Sequence, residues 1–260
     1  IAVKTISIVK IGGNVVDSPE ALARFASAFA SMEGPKILVH GGGKEATRLG
    51  ERLGIPATML EGRRVTSADT LEVVTMVYAG LINKRIVALL QREGCNALGL
   101  SGADGKAIQA TRRPAAPVDY GFVGDISPDG VNAALLSALI EQGLVPVVCA
   151  ITYDGNGGLL NCNADSVASA IATSMARTRP ARLVYCFEQP GVMEDIDNPA
   201  SLIPHINPAL YAALKERGTV SRGMLPKLDN AFRAIDCGVE SVVIKHADNL
   251  LSDTGTTLSK

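Results

Sequence analysis

Thr5-Ile6-Ser7-Ile8-Val9-Lys10-Ile11-Gly12-Gly13-Asn14 and Lys36-Ile37-Leu38-Val39-His40-Gly41-Gly42-Gly43-Lys44 decide the fold. Each is a short, β-branched, nearly continuous apolar run that ends in glycines. A run that is apolar without alternation reads as a strand buried on both faces, which implies a mainly parallel sheet covered by helices. Glycines at the carboxyl end of such a strand let the backbone approach an anion closely. Lys10 is placed to reach the same anion. The second run enters a helix, whose first N–H groups favour negative charge. Either loop alone is equally well a plain strand-to-helix turn. Two in succession favour the anion reading, because open α/β sheets bind ligands at the carboxyl ends of their strands. Neither loop has the G-x-x-x-x-G-K-[ST] or G-x-G-x-x-G spacing, and no acidic ribose partner comes after them, which disfavours a dinucleotide-binding dehydrogenase.

The same pattern repeats along the chain. Strands are predicted over 5–11, 36–40, 95–100, 144–150, 182–187 and 241–245, and helices near 19–31, 44–53, 67–92, 131–142, 164–177, 208–217 and 223–237. The fold class is therefore α/β, a three-layer αβα sandwich around a mainly parallel open sheet. Residues 105–126 alternate and carry turn-formers, Arg113-Pro114 and Tyr120-Gly121, so an antiparallel hairpin excursion is expected there. The long helix from Ser67 opens on a capping-box pattern, Thr66-x-x-Asp69. Its stripe of Leu71, Val74, Tyr78 and Leu81, widened by Val73, Met76, Val77 and Leu89, is either fully buried or shared between the core and a second subunit. The polar stretch Arg177-Thr178-Arg179-Pro180 divides an N-terminal lobe of about 1–178 from a C-terminal lobe of about 179–260 within one domain.

Composition narrows the function classes. The 260 residues are 47% hydrophobic, ample for a sizeable core. Lys and Arg total 25 against 26 Asp and Glu, so no global charge attracts nucleic acid or an anionic membrane. No uninterrupted apolar stretch reaches the ~20 residues needed to span a bilayer. The five cysteines are odd in number and form no C-x-x-C, which reads as buried reduced thiols in a cytoplasmic protein. His40, His205 and His246 have no metal-ligand spacing. The chain opens in a strand-like run without a signal-peptide layout, which agrees with a cytoplasmic location.

Further segments carry polar residues at element ends. Gly62-Arg63-Arg64-Val65-Thr66 precedes the long helix, and an arginine there either forks a carboxylate or is simply solvated. Leu160-Asn161-Cys162-Asn163-Ala164-Asp165 precedes a helix. Asn163 suits its N-cap and Asp165 its first turn, whereas Asn161 would project from a strand end. Gly223-Met224-Leu225-Pro226-Lys227 puts a cation in a first turn, against the helix dipole, which suggests an anionic partner or a snorkelling surface lysine. Gly99 to Gly105 reads as shape, a tight strand exit, not chemistry.

In this order, with Gly121-Phe122-Val123-Gly124-Asp125 among them, the segments resemble the amino acid kinase family, and within it the N-acetylglutamate kinase group, over essentially the whole chain. The resemblance implies ATP-dependent phosphorylation of the side-chain carboxylate of N-acetyl-L-glutamate, in arginine biosynthesis. N-succinyl-L-glutamate is the alternative substrate, and a silent amino-acid sensor on the same fold is a remote one. It implies that the N-terminal lobe binds the acylated amino acid and the C-terminal lobe binds ATP, with Mg²⁺ carried by ATP and no protein metal site. Lys10 and Lys227 would bridge the phosphates, with Asp165 holding both. Gly12 and Gly13 would approach the nucleotide phosphates, and Gly41 and Gly42 the transferring group. Arg64, Asn161 and Asn163 would hold the amino-acid substrate. A homodimer through the long helix is expected, insensitive to arginine because the chain opens in its first strand. Two positions depart from the family pattern. Cys186-Phe187-Glu188-Gln189-Pro190-Gly191-Val192 replaces a Thr-Asp-x-x-Gly-Val nucleotide loop, and Arg63 stands where an apolar residue is usual. If Arg63-Arg64 is extended, its side chains point to opposite faces, and only a bend at Gly62 brings both inward.

Overall fold

A computed structural model describes residues 4–60, 62–195, 197–218 and 224–260. The chain runs β1 (Ile6–Ile11), α1 (Gly13–Asp17), α2 (Pro19–Ser31), β2 (Lys36–His40), α3 (Gly43–Arg52), β3 (Thr58–Leu60), β4 (Arg63–Val65) and α4 (Ala68–Thr75). A π-helical segment, Met76–Ile82, continues directly into α5 (Asn83–Arg92). Then come β5 (Ala97–Leu100), β6 (Thr111–Arg112), β7 (Gly124–Asp125), α6 (Ala133–Glu141), β8 (Val145–Cys149), β9 (Ile151–Tyr153), β10 (Leu159–Asn161) and α7 (Ala164–Ala176). The last elements are β11 (Ala181–Phe187), β12 (His205–Ile206), α8 (Pro208–Arg217), α9 (Leu225–Asp236), β13 (Ser241–His246) and β14 (Thr256–Leu258). The start predicted for the last helix at Gly223 lies outside the described residues.

One eight-stranded sheet, in the order β12-β14-β13-β11-β1-β2-β8-β5, organises the molecule. The strands from β13 to β5 are parallel to one another, and β14 reverses direction against β13. Helices α6, α7 and α9 pack together on one face, and α2 and α5 on the other. The sheet passes unbroken across the predicted lobe boundary, since β1 pairs on one side with β2 and on the other with β11. β1 is thus the point where the strand order reverses, which puts its carboxyl end, Lys10 to Gly13, at the crevice where such sheets bind ligands.

Local sequence accounts for these elements. Ser18 caps α2 by accepting from the Ala21 N–H, Pro19 opens it, and Leu22, Phe25, Ala26 and Phe29 at helical spacing are buried. Fully burying Phe25, Phe29, Ile6, Ile8 and Ile37 contributes about 1.5–3 kcal/mol each. Lys36, buried at the start of β2, spends its ammonium on the Phe29, Ala30 and Met32 carbonyls at the end of α2.

The long helix corrects three sequence expectations. Its cap is Ser67, which accepts from the Thr70 N–H, while Thr66 is fully buried and bonds elsewhere. Its apolar stripe also shifts. Each π turn takes in an extra residue, so the buried positions Val77 and Ile82 stand five apart and Leu81 faces outward at 45% exposure. Finally, the 25-residue run Ala68–Arg92 is by length and composition apolar enough to cross a membrane. Here Val73, Val74, Val77, Ile82, Ile86 and Leu90 are buried within the protein instead. The expected antiparallel excursion forms as β6 and β7. Cys95, Cys149, Cys162 and Cys186 are buried free thiols, and Cys237 is exposed.

Candidate functional site

A cleft of about 420 Å³ opens at the carboxyl ends of β1 and β2. Lys10, Gly13, Gly41, Gly42, Arg64, Asn161, Asn163 and Asp165 all line it, although they come from separate stretches of chain. Lys10 is the penultimate residue of β1, and its ammonium sits 2.8 Å from Asp165 Oδ1. That oxygen has no hydrogen-bond partner, so the contact is an ion pair outside hydrogen-bond angles. Asn163 accepts from the Asp165 and Ser166 N–H groups and so caps α7, as its sequence position suggested. The cap fixes the helix start that carries Asp165 to Lys10.

The second glycine loop enters α3 with Gly42 as its N-cap. Gly42 has φ 156°, and a Cβ there would lie 2.2 Å from Ile82 Cδ1. Glycine is required at this position because the π-helical segment is packed against the loop. Arg64 is held from behind, its Nη2 donating to the Gly43 carbonyl and the Thr47 hydroxyl at 2.8 Å each. Tyr78 lies beside Arg64, and burial raises its phenol above the ordinary range. Asn161 is buried at the end of β10 and donates to the Thr66 hydroxyl at 3.1 Å. Both Arg63 and Arg64 line the cleft, Arg63 exposed, with Gly62 at φ 75° turning the hairpin between β3 and β4.

Two expected residues stand apart. The Gly12 N–H already donates to the Cys186 carbonyl at 2.8 Å, so it is not free for an anion. A Cβ on Gly12 would lie 3.3 Å from Phe187 Cβ, so its lack of a side chain serves the close approach of β1 to β11. Lys227, in the first turn of α9, rests its ammonium 4.4 Å from the centroid of the Phe187 ring. Among the described residues no ion pair joins Lys227 to Asp165, which is paired with Lys10 instead. Gly12 and Lys227 meet at the end of β11. There the atypical loop after Cys186 folds back, and the Val192 N–H donates to the Thr256 hydroxyl.

The sequence reading missed Arg113 and Asp125, which form a bidentate pair in the cleft wall, one arm Nε to Oδ2 at 3.0 Å. That bond holds the Asp125 carboxyl below its usual range and raises the Arg113 guanidinium. The signal available was the facing of β6 and β7, which pairs Thr111 with Asp125 and Arg112 with Gly124 and so leaves Arg113 diagonal to Asp125 on the same face. The cleft thus unites cations, glycine-loop N–H groups and a carboxylate that pairs with Lys10. That is the equipment for stabilising a transferring anionic group without a protein nucleophile.

Residues 5–246 match the model of the amino acid kinase family. An acetylglutamate kinase of Cytophaga hutchinsonii is 51% identical over 94% of this chain and 92% of its own length. One from Phocaeicola vulgatus is 48% identical over 98% of both chains. Among solved structures, a Streptococcus mutans protein superposes with a TM-score of 0.78 at 26% identity, covering 98% of each chain. An N-acetylglutamate synthase from Neisseria gonorrhoeae in complex with coenzyme A and N-acetyl-glutamate gives 0.81 at 19% identity over 98% of this chain and 59% of that one, which speaks to the fold.

Proposed function

Because this chain belongs to the amino acid kinase family, we propose that it transfers the γ-phosphoryl group of ATP to the side-chain carboxylate of N-acetyl-L-glutamate, a step of arginine biosynthesis. The observation that carries the reading is the Lys10–Asp165 pair set between two glycine loops at the strand-order reversal. The near-full-length likeness to acetylglutamate kinases at 44–51% identity supports the substrate. A glutamate side chain has a reference pKa of ~4.3 and is already ionised at neutral pH, so no general base is needed. One carboxylate oxygen attacks phosphorus as the bond to the ADP oxygen breaks, giving an acyl phosphate.

The residues fit that chemistry. Lys10 offsets charge on the transferring group, and the Gly13, Gly41 and Gly42 backbone faces it. Asp165 fixes the direction of the Lys10 ammonium. Arg64, braced on α3, takes the α-carboxylate, and Asn161 lies beside it. Lys227 belongs to the nucleotide side, with β11, β13 and α9, and reaches the phosphates only after leaving the Phe187 ring. ATP brings Mg²⁺ with it. We place the amino-acid substrate over the N-terminal lobe, 1–178, and the nucleotide over 179–260, in a cytoplasmic homodimer. The decisive assay couples ADP release to hydroxamate trapping of an acyl phosphate, with N-acetylglutamate, N-succinylglutamate, aspartate and carbamate compared. Trapped product with N-acetylglutamate at the highest kcat/KM is expected. Product with another acceptor alone overturns the reading.

A further inference from the structure

His40 is fully buried at the end of β2, next to the glycine loop, and its hydrogen bonds determine its tautomer. Its Nε2 lies 3.0 Å from Asn83 Nδ2, and its Nδ1 lies 2.8 Å from the Gly41 carbonyl oxygen. Imidazole nitrogens either donate or accept, so the neighbours settle which does what. Asn83 Nδ2 also donates to the Val147 carbonyl, which can only accept. Asn83 Oδ1 takes a hydrogen bond from the Lys84 ammonium, which can only donate. The amide is therefore oriented from both ends, and Nδ2 presents a proton to His40 Nε2. Nε2 is the acceptor, the imidazole is neutral, and Nδ1 carries the proton, which it donates to the Gly41 carbonyl.

We infer that His40, locked as its Nδ1–H tautomer by Asn83, is a positioning residue that aims the Gly42 N–H into the cleft. The peptide between Gly41 and Gly42 is planar and trans, so its C=O and N–H point in opposite directions. Drawing the Gly41 oxygen toward the imidazole turns the Gly42 N–H away from His40. Glycines cannot hold that plane themselves, because they have no side chain to restrict φ and ψ. Two further contacts complete the clamp. Ile82 and Tyr78 of the π-helical segment press on Gly42, and Asn83 is the next residue after that segment. A π segment inside a long helix shifts the phase of the residues beyond it. Here it brings Ile82 and Asn83, consecutive residues, to the same loop. His40 itself touches no substrate and acts through the Gly41 peptide.

This inference rests on the phosphoryl-transfer reading, and its test has an arm that does not. In histidine-selective ¹⁵N spectra of the wild-type protein at pH 7, the His40 signals should show a protonated Nδ1 and an unprotonated Nε2. An Nε2–H tautomer or an imidazolium overturns the inference whatever the substrate proves to be. In the kinetic arm, His40→Leu is expected to lower kcat by about tenfold or more with KM for the acylated amino acid within about threefold, because a misaimed donor is lost mainly to the transition state. His40→Asn places an amide nitrogen where Nδ1 stood and should recover most of that kcat. An Asn variant that melts like wild type but turns over as slowly as the Leu variant overturns the inference, and so does a Leu variant with wild-type kcat. If the wild type makes no acyl phosphate at all, the substrate reading falls, and the tautomer measurement still decides the lock.

Discussion

At the scale of single residues, the cleft works by holding cations and N–H donors where charge accumulates. Lys10 is the clearest of them, because it combines a strand-end position with an ion pair to Asp165 at the start of α7. Lys10→Ala is expected to lower kcat by about 10²–10³, the usual loss for one preorganised charge-stabilising donor. Steady-state ADP release checks it, and near-normal turnover removes Lys10 from the chemistry. His40 gives a prediction of a different kind. Burial, aided by the nearby Lys84 charge and opposed by the Gly41 hydrogen bond, pushes its imidazole down from 6.5 to about 4. Above about pH 6.5 both folded and unfolded chains hold it neutral, and its contribution to stability is fully present. As pH falls from 6.5 toward 4 the unfolded chain takes the proton first, so stability declines across that window, by about 3 kcal/mol at most. Urea unfolding at several pH values should show a slope in this range that flattens in His40→Asn. An unchanged slope rejects the assignment.

Arg64 lies in the middle of β4 and was singled out by the Gly62 turn before it and by the family resemblance. Lys10, Asn161, Asn163 and Asp165 were legible in the sequence because each stands at or next to an element end that a glycine or cap marks. Residues whose role depends on which element lies opposite were not. His40 reads as a strand residue until Asn83 is placed against it, and Arg113 reads as a turn residue until its side chain is seen to bond Asp125. Gly12 misled for the same reason, since only the pairing with β11 shows that its N–H is already bonded.

At the scale of elements, the small excursion after β5 ties the floor of the cleft together. The Thr66 N–H donates to the Tyr120 carbonyl and the Phe122 N–H to the Thr66 carbonyl, while the Asn161 N–H reaches the Phe122 carbonyl. The lead into the long helix and the end of β10 are thereby fastened to one segment. Gly121 sits in the middle at φ 73°, and a Cβ there would lie 2.2 Å from the Thr66 carbonyl oxygen. Gly121→Ala combines left-handed strain with a backbone clash and should cost at least about 2 kcal/mol. The urea midpoint measures it, and an unshifted midpoint sinks the argument. Long elements were legible here: α2 and α8 span the predicted 19–31 and 208–217. Strands of two or three residues such as β12 and β14 carry no period to detect. The π-helical segment was hidden because a stripe drawn at 3.6 residues per turn assumes an unbroken α-helix.

At the scale of the whole molecule, the long helix has more apolar surface than this chain covers. The core takes Val73, Val74, Val77, Ile82, Ile86 and Leu90. Met76 and Leu81, both within the π-helical segment and each one residue before a buried position (Val77 and Ile82), remain 51% and 45% exposed. Single exposed apolar residues are ordinary. Two large ones five positions apart on one helix form a patch that a second copy can cover. A two-fold interface is isologous, so Met76 and Leu81 of one helix meet the same residues of its partner. Each side chain is already about half buried, so covering the rest contributes about 0.7–1.5 kcal/mol per side chain, enough to matter to a dimer assembled on a larger contact. The protein is therefore expected to sediment as a dimer. Met76→Glu with Leu81→Glu should shift it toward monomer, because the symmetric contact would juxtapose like charges in a desolvated seam. Near-ultraviolet circular dichroism should stay that of the wild type, since neither side chain is in the core. A wild type that sediments as a monomer, or a double variant that remains dimeric with its fold intact, rejects this helix as the interface.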